Sequence, residues 1–137
     1  MQDGIKDDTG IQTEVQSKIL VVDDNSFIRH ATMTILIKEK FTVVEATDGH
    51  EAIDKAITEC PDLILMDLSM PNLDGFAAIE ELKTNTATKG IPIIVVTAYA
   101  TKEQIIRATQ LGVAGFLVKP FNIDTLIETV KKRLISR

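Results

Sequence analysis

The sequence predicts a single α/β domain built on a doubly wound parallel sheet. Three observations predict it. Five mainly apolar runs (19–22, 41–46, 63–66, 91–96 and 114–118), the first of them mostly β-branched, alternate with five segments whose apolar residues recur at helical spacing. The third run, Leu63 to Met66, is apolar at every position, which suits a strand covered by helices on both faces. The 137 residues hold no internal repeat, and a chain of that length can bury one sizeable core.

Residues 1–17 are polar, acidic and aperiodic, so they read as a flexible tail ahead of a folded domain spanning 18–137. Ile19 to Val22 form the first predicted strand and end in the pair Asp23-Asp24. Asn25 or Ser26 can cap a first helix with Phe27, Ile28, Ala31, Ile35 and Leu36 on its apolar face. The second strand, Phe41 to Ala46, is more polar and belongs near an edge. Asp48 caps a helix with Ala52, Ile53, Ala56 and Ile57 on one face, and Pro61 marks its exit. The third strand runs into Asp67 and a turn containing Pro71, Asn72, Asp74 and Gly75.

Asp74 caps a third helix carrying Phe76, Ala77, Ile79 and Leu82, which gives way to the polar loop 84–90. The fourth strand, Ile91 to Val96, ends in Thr97-Ala98. Thr101 and Gln104 have the spacing of a capping box, and Gly112 fits the left-handed position that ends many helices. A short strand, Ala114 to Val118, ends in Lys119-Pro120. The last helix, from Ile123, places Leu126, Ile127, Val130 and Leu134 on one side. Cys60 reads as a small buried hydrophobe. His30 and His50 fall on separate helix surfaces and receive no role.

Composition narrows the function. A net charge of -5 argues against nucleic-acid binding, and the one basic run, 131–133, suits the C-terminal end of a helix dipole. The single cysteine excludes a disulfide framework and a cysteine-based metal site. Neither a signal-type apolar segment nor a membrane span is present, so a cytoplasmic protein without membrane contact is expected.

Sequential right-handed crossovers with a polar second strand favour the flavodoxin-like (βα)5 order 2-1-3-4-5. In such a sheet the residues just past each strand share one edge. They are Asp23 and Asp24, Asp67, Thr97 and Lys119. Three carboxylates together repel unless a cation intervenes, and a hard divalent ion with oxygen ligands resolves that. Mg²⁺ fits best, with Mn²⁺ as an alternative. Lys119 and Thr97 then complete an arrangement suited to an anion carried on Asp67, as expected if Asp67 becomes phosphorylated.

The motifs DD at 23–24, DLSMP at 67–71, TA at 97–98 and KPF at 119–121, in this order, resemble the receiver domain of two-component response regulators. The resemblance covers 18–137. It implies a phosphorylation-activated switch rather than an enzyme of turnover, with Asp67 accepting a phosphoryl group from a sensor histidine kinase or phosphotransfer protein. It further implies Mg²⁺ on Asp23, Asp24, Asp67 and the backbone carbonyl of Ser69, a switch pair Thr97 and Phe116, and a cis Lys119-Pro120 bond. Ser69 and Tyr99 take the positions that tune hydrolysis. Neither offers a carboxylate or amide to position water, which predicts a phosphorylated state lasting minutes or longer.

Output would pass to a downstream partner through the fourth helix, fifth strand and last helix, from a monomer or a phosphorylation-dependent dimer. With no effector domain after Arg137, a stand-alone domain and a piece of a larger protein are both open. Two rivals fit less well. A phosphatase working through its own aspartyl phosphate wants a second aspartate where Ser69 stands, and a cap domain. A flavodoxin-like cofactor binder wants a Gly-, Ser- or Thr-rich loop where Asp23-Asp24-Asn25 stand.

Overall fold

The computed structural model describes residues 16–68 and 74–136. Most of the expected tail and the Ser69 position lie outside the described residues. Strands β1 (Lys18–Val22), β2 (Thr42–Ala46), β3 (Leu63–Asp67), β4 (Ile93–Thr97) and β5 (Gly115–Val118) alternate with helices α1 (Ser26–Lys38), α2 (Gly49–Glu59), α3 (Gly75–Thr84), α4 (Lys102–Gln110) and α5 (Ile123–Ser136). All strand pairs are parallel, in the expected order β2-β1-β3-β4-β5. Strand β3 is flanked by β1 and β4 and is buried at every position, as its unbroken apolar run requires.

Alternation along the strands divides the core in two. Ile64, Met66, Ile93 and Val95 pack with Ala52, Ile53, Ile79, Leu82 and Ala108 of α2, α3 and α4. Leu63, Leu65, Ile94 and Val96 pack with Leu36, Leu126 and Val130 of α1 and α5. Each helix start is tied off by a side chain. Asn25, Asp48, Asp74 and Thr101 accept from the backbone N–H groups of Ile28, Glu51, Ala77 and Gln104, and Asn122 accepts from Thr125. Such a cap is worth about 1 kcal/mol. Here the caps also fix the loops at the sheet edge that carries the strand-end residues. Gly112 takes the left-handed φ of 83° expected after α4.

Three local expectations need correction. On α1 the residues turned inward are Arg29, Thr32 and Leu36, while Phe27 is 82% exposed and Ala31 is also on the surface. Periodicity identified an apolar stripe, but part of that stripe faces solvent beside the strand ends because Arg29 turns inward to the Asp23 carbonyl and Glu45. Cys60 is exposed rather than buried: it occupies the left-handed cap of α2, with φ 48°, where its side chain points away from the core. Ile57, on the face shared with Ala52, Ile53 and Ala56 by spacing, is half-exposed. Among the described residues no helix is long and apolar enough to cross a membrane.

Candidate functional site

The acidic centre is assembled from two loops. Strand β1 delivers Asp23 and Asp24, and β3 delivers Asp67. One carboxylate oxygen from each lies within 4.8 Å of the others. Asp23 and Asp67 are each only 5% exposed, whereas Asp24 faces solvent. Three carboxylates at this spacing, two of them nearly dry, repel strongly in the absence of positive charge.

Lys119, from the end of β5, answers that repulsion. Its Nζ donates to Asp23 Oδ2 at 3.0 Å and lies 3.6 Å from Asp67 Oδ2. The ammonium thus sits closer to Asp23 than to the predicted phosphoacceptor. Its own peptide bond to Pro120 is cis, as the resemblance implied. Asp23 is held on every side. Its N–H donates to the Ala46 carbonyl at 3.1 Å, and its Oδ1 accepts from the Asn25 N–H at 2.9 Å. Its own carbonyl accepts from Arg29 Nη1 at 2.8 Å.

Thr97 ends β4 and is buried, with its Oγ1 accepting from the Tyr99 N–H at 3.1 Å. The hydroxyl is therefore held by the local backbone and can still donate. Phe116 pairs in register with Val95 and packs partly buried against the α2, α3 and α4 side of the core. Thr97 follows Val95 by two residues, so Thr97 and Phe116 leave the sheet on the same side. Tyr99 is well exposed at the rim. The Ser69 carbonyl lies outside the described residues.

Two contributors were not anticipated. Arg29 is buried on α1 and its Nε donates to Glu45 Oε1 at 2.7 Å. That hydrogen bond is the leading reason the Glu45 carboxyl is held below its ordinary value. No short-range pattern announces it, since its side-chain partner, Glu45, belongs to β2. Gly75 is the other. A Cβ on Gly75 would fall 2.5 Å from the Asp67 carbonyl oxygen and 2.6 Å from the Leu68 Cα, and the Gly75 N–H donates to the Leu68 carbonyl. The start of α3 is thereby pressed against the backbone that carries Asp67. Gly75→Ala should cost about 3 kcal/mol in urea unfolding, because both obstructing atoms are backbone and cannot rotate away. Gly90→Ala, with nothing within 4 Å of its Cβ, should stay within about 0.5 kcal/mol of wild type.

The donor set fits a hard divalent cation: three carboxylates, two of them buried, and no sulfur or imidazole among them. The arrangement of a buried carboxylate, an ammonium and a strand-end hydroxyl at one edge is suited to holding a small anion covalently attached to Asp67.

Comparison with known proteins gives the same reading. The chain is 40% identical over 118 residues to the chemotaxis protein CheY of Bacillus subtilis, covering 85% of this chain and 97% of that protein. It is 34% identical over 120 residues to sporulation initiation phosphotransferase F of the same organism, covering 88% and 95%. Among solved structures, a CheY-like response regulator receiver domain protein from Methanospirillum hungatei superposes with a TM-score of 0.84 at 30% identity, covering 89% of this chain and 96% of that one. The model of the response regulator receiver domain matches residues 19–131, and with the sheet order and strand-end residues described above, the chain belongs to that family.

Proposed function

We propose that this domain, residues 18–137, is a signalling switch that takes a phosphoryl group onto Asp67 from a phosphohistidine of a sensor histidine kinase or phosphotransfer protein. The observation that carries this reading is the clustering of Asp23, Asp24 and Asp67 at one sheet edge, with Lys119 set against Asp23 and Asp67. An Asp67 carboxylate oxygen forms a bond to phosphorus as the phosphorus–nitrogen bond of the donor breaks, and the electron pair of that bond stays with the imidazole. Lys119 then faces the incoming phosphoryl oxygens, and its weak hold on Asp67 at 3.6 Å leaves it free to do so. The Thr97 hydroxyl can turn its proton toward another of these oxygens.

Asp23, Asp24 and Asp67, with the Ser69 carbonyl, would hold Mg²⁺ or Mn²⁺. When bound, the cation neutralises charge on the carboxylates and on the transferred group. The domain turns over nothing but its own phosphorylation and dephosphorylation. Movement of Thr97 toward the phosphoryl group frees space on the side of the sheet where Phe116 packs, and two packings exchange populations. Exposed Ile105, Ile106 and Val118 support an output surface on α4, β5 and α5, for a downstream protein or for a phosphorylation-dependent dimer of an otherwise monomeric domain. The acidic balance supports a protein partner rather than nucleic acid, and a cytoplasmic setting away from membrane goes with the same reading.

The test is labelling with acetyl phosphate and Mg²⁺, followed by peptide mapping. One hydroxylamine-sensitive phosphoryl group on Asp67, lost when the cation is chelated, is expected. A phosphoryl group on another residue, or labelling that survives chelation, overturns the proposal.

The exposed part of α1 suggests how a protein donor approaches. Phe27, Ile28 and Ala31 join Pro120 and Phe121 in an apolar cleft of about 500 Å³ beside Lys119. Phe27→Ala should reduce phosphotransfer from a phosphohistidine protein about tenfold, in the range of a moderate interface anchor, and leave labelling by acetyl phosphate unchanged. Equal losses with both donors would place Phe27 in the chemistry instead of the docking.

A further inference from the structure

We infer that Arg29 and Glu45 form a brace that positions the acidic pair, and that this brace sets the cation affinity of the site. The inference rests on the proposal that Asp23, Asp24 and Asp67 hold the cation, and extends it to two residues that touch none of the reacting atoms. Of the two aspartates at the end of β1, Asp23 is fixed and Asp24 is not. The Asp23 N–H is bonded to the Ala46 carbonyl at the end of β2, and its carbonyl to Arg29 Nη1. The same guanidinium spends its Nε on Glu45 Oε1, one residue before Ala46. Glu45 is itself tied down, since its backbone carbonyl accepts from Lys55 Nζ of α2 at 3.2 Å.

A closed path therefore runs from the Asp23 amide through the end of β2 and the guanidinium back to the Asp23 carbonyl. It fastens the loop that carries the acidic pair to the outer strand of the sheet. Arginine suits the task because its planar fork supplies two donors in fixed relation, and lysine cannot reproduce both. Burial matters as well: Arg29 is only 7% exposed and its bond to the Asp23 carbonyl is shielded from water, while the bond to Glu45 lies nearer the surface. Among the described residues none braces Asp24 in this way, and it faces solvent. The pair thus divides the work, with Asp23 as the rigid ligand that defines the site and Asp24 as the ligand that adjusts to the cation.

Electrostatics alone predicts the opposite effect of removing Arg29, which makes the idea testable by sign. Deleting a positive charge near three carboxylates should tighten cation binding. Deleting a brace should weaken it, because outer supports of ligating groups are commonly worth 10- to 100-fold in metal affinity. The 137-residue chain would be titrated with Mn²⁺, with free ion followed by electron paramagnetic resonance. Arg29→Met should bind Mn²⁺ about tenfold more weakly than wild type, and Arg29→Lys should fall between the two.

Glu45→Gln keeps an acceptor for Nε but leaves the guanidinium charge uncompensated, so it should weaken binding about threefold, less than the 10- to 100-fold typical of losing such a support outright. Thr88→Val serves as a stability control. It removes the buried Thr88 hydroxyl, which donates to the Leu82 carbonyl, and should lower the melting temperature without altering Mn²⁺ affinity. Mn²⁺ binding by Arg29→Met equal to or tighter than wild type overturns the brace. Should Arg29→Met fail to fold, unchanged affinity in both Arg29→Lys and Glu45→Gln overturns it equally. Loss of Mn²⁺ binding in wild type as well would strike at the cation site itself, a distinguishable failure.

Discussion

Asp67→Asn should abolish phosphorylation and at the same time make the cation-free protein more stable. The first effect is chemical, since an amide oxygen is too poor a nucleophile to displace a phosphoryl group, and labelling by acetyl phosphate should fall below detection. The second follows from crowding. With carboxylate oxygens of Asp23, Asp24 and Asp67 within 4.8 Å of one another, the folded state carries a repulsion that the unfolded chain escapes. Replacing one charge by an isosteric amide relieves it, while Lys119 keeps its 3.0 Å bond to Asp23. A gain of about 1 kcal/mol in urea unfolding without Mg²⁺ is expected, typical of sites where function is kept at the expense of stability. Adding Mg²⁺ should shrink that gain, because wild type binds the cation better and is stabilised by it. A variant that still accepts phosphoryl groups, or one less stable than wild type without Mg²⁺, contradicts this account.

Lys119→Met should separate cation binding from chemistry. In the resting site the ammonium occupies the neighbourhood a divalent ion would use, so the two compete. Removing it should tighten Mn²⁺ binding about tenfold, a modest part of the several kcal/mol that unit charges ~4 Å apart exchange in partly shielded surroundings. Phosphorylation should nevertheless slow by about 10²–10³-fold, the usual consequence of deleting a group that stabilises developing negative charge. Without cation the variant should also unfold more easily, because Asp23 and Asp67 lose the charge that balanced them. Calorimetry with and without Mg²⁺, beside a labelling time course, measures all three effects. Weaker Mn²⁺ binding would show that Lys119 helps shape the site rather than competing for it.

The fold was legible because each element carried its own punctuation. The Asp48, Asp74 and Thr101 caps, the exit at Pro61 and the glycine at 112 all sit where local chemistry demands them. The site was legible for a different reason. A parallel sheet delivers every strand end to one edge, so naming the residue after each apolar run was enough to place Asp23, Asp24, Asp67, Thr97 and Lys119 together.

What escaped was tertiary. Helical spacing shows that Phe27, Ile28 and Ala31 share a face, but only packing decides that Arg29 is the residue turned inward. The crowding at Gly75 exists only once α3 presses on the end of β3. Cys60 takes a left-handed conformation that sequence would assign to glycine, and nothing adjacent to it signals the exception. The closer approach of Lys119 to Asp23 than to Asp67 likewise depends on side-chain geometry.

The bond between Lys119 and Asp23 joins groups 96 positions apart in the chain. Synthesis from the N-terminus at roughly 5–20 residues per second therefore exposes the three aspartates well before their counter-charge is made. Strand β5, which leads directly into Lys119, pairs among the described residues with β4 alone, at one edge of the sheet. A nascent chain lacking that strand holds crowded carboxylates with no ammonium among them, and is poorly equipped to attract a phosphate-bearing donor. Under the proposed function, competence to accept a phosphoryl group then depends on β5 being in place to present Lys119 to Asp23 and Asp67.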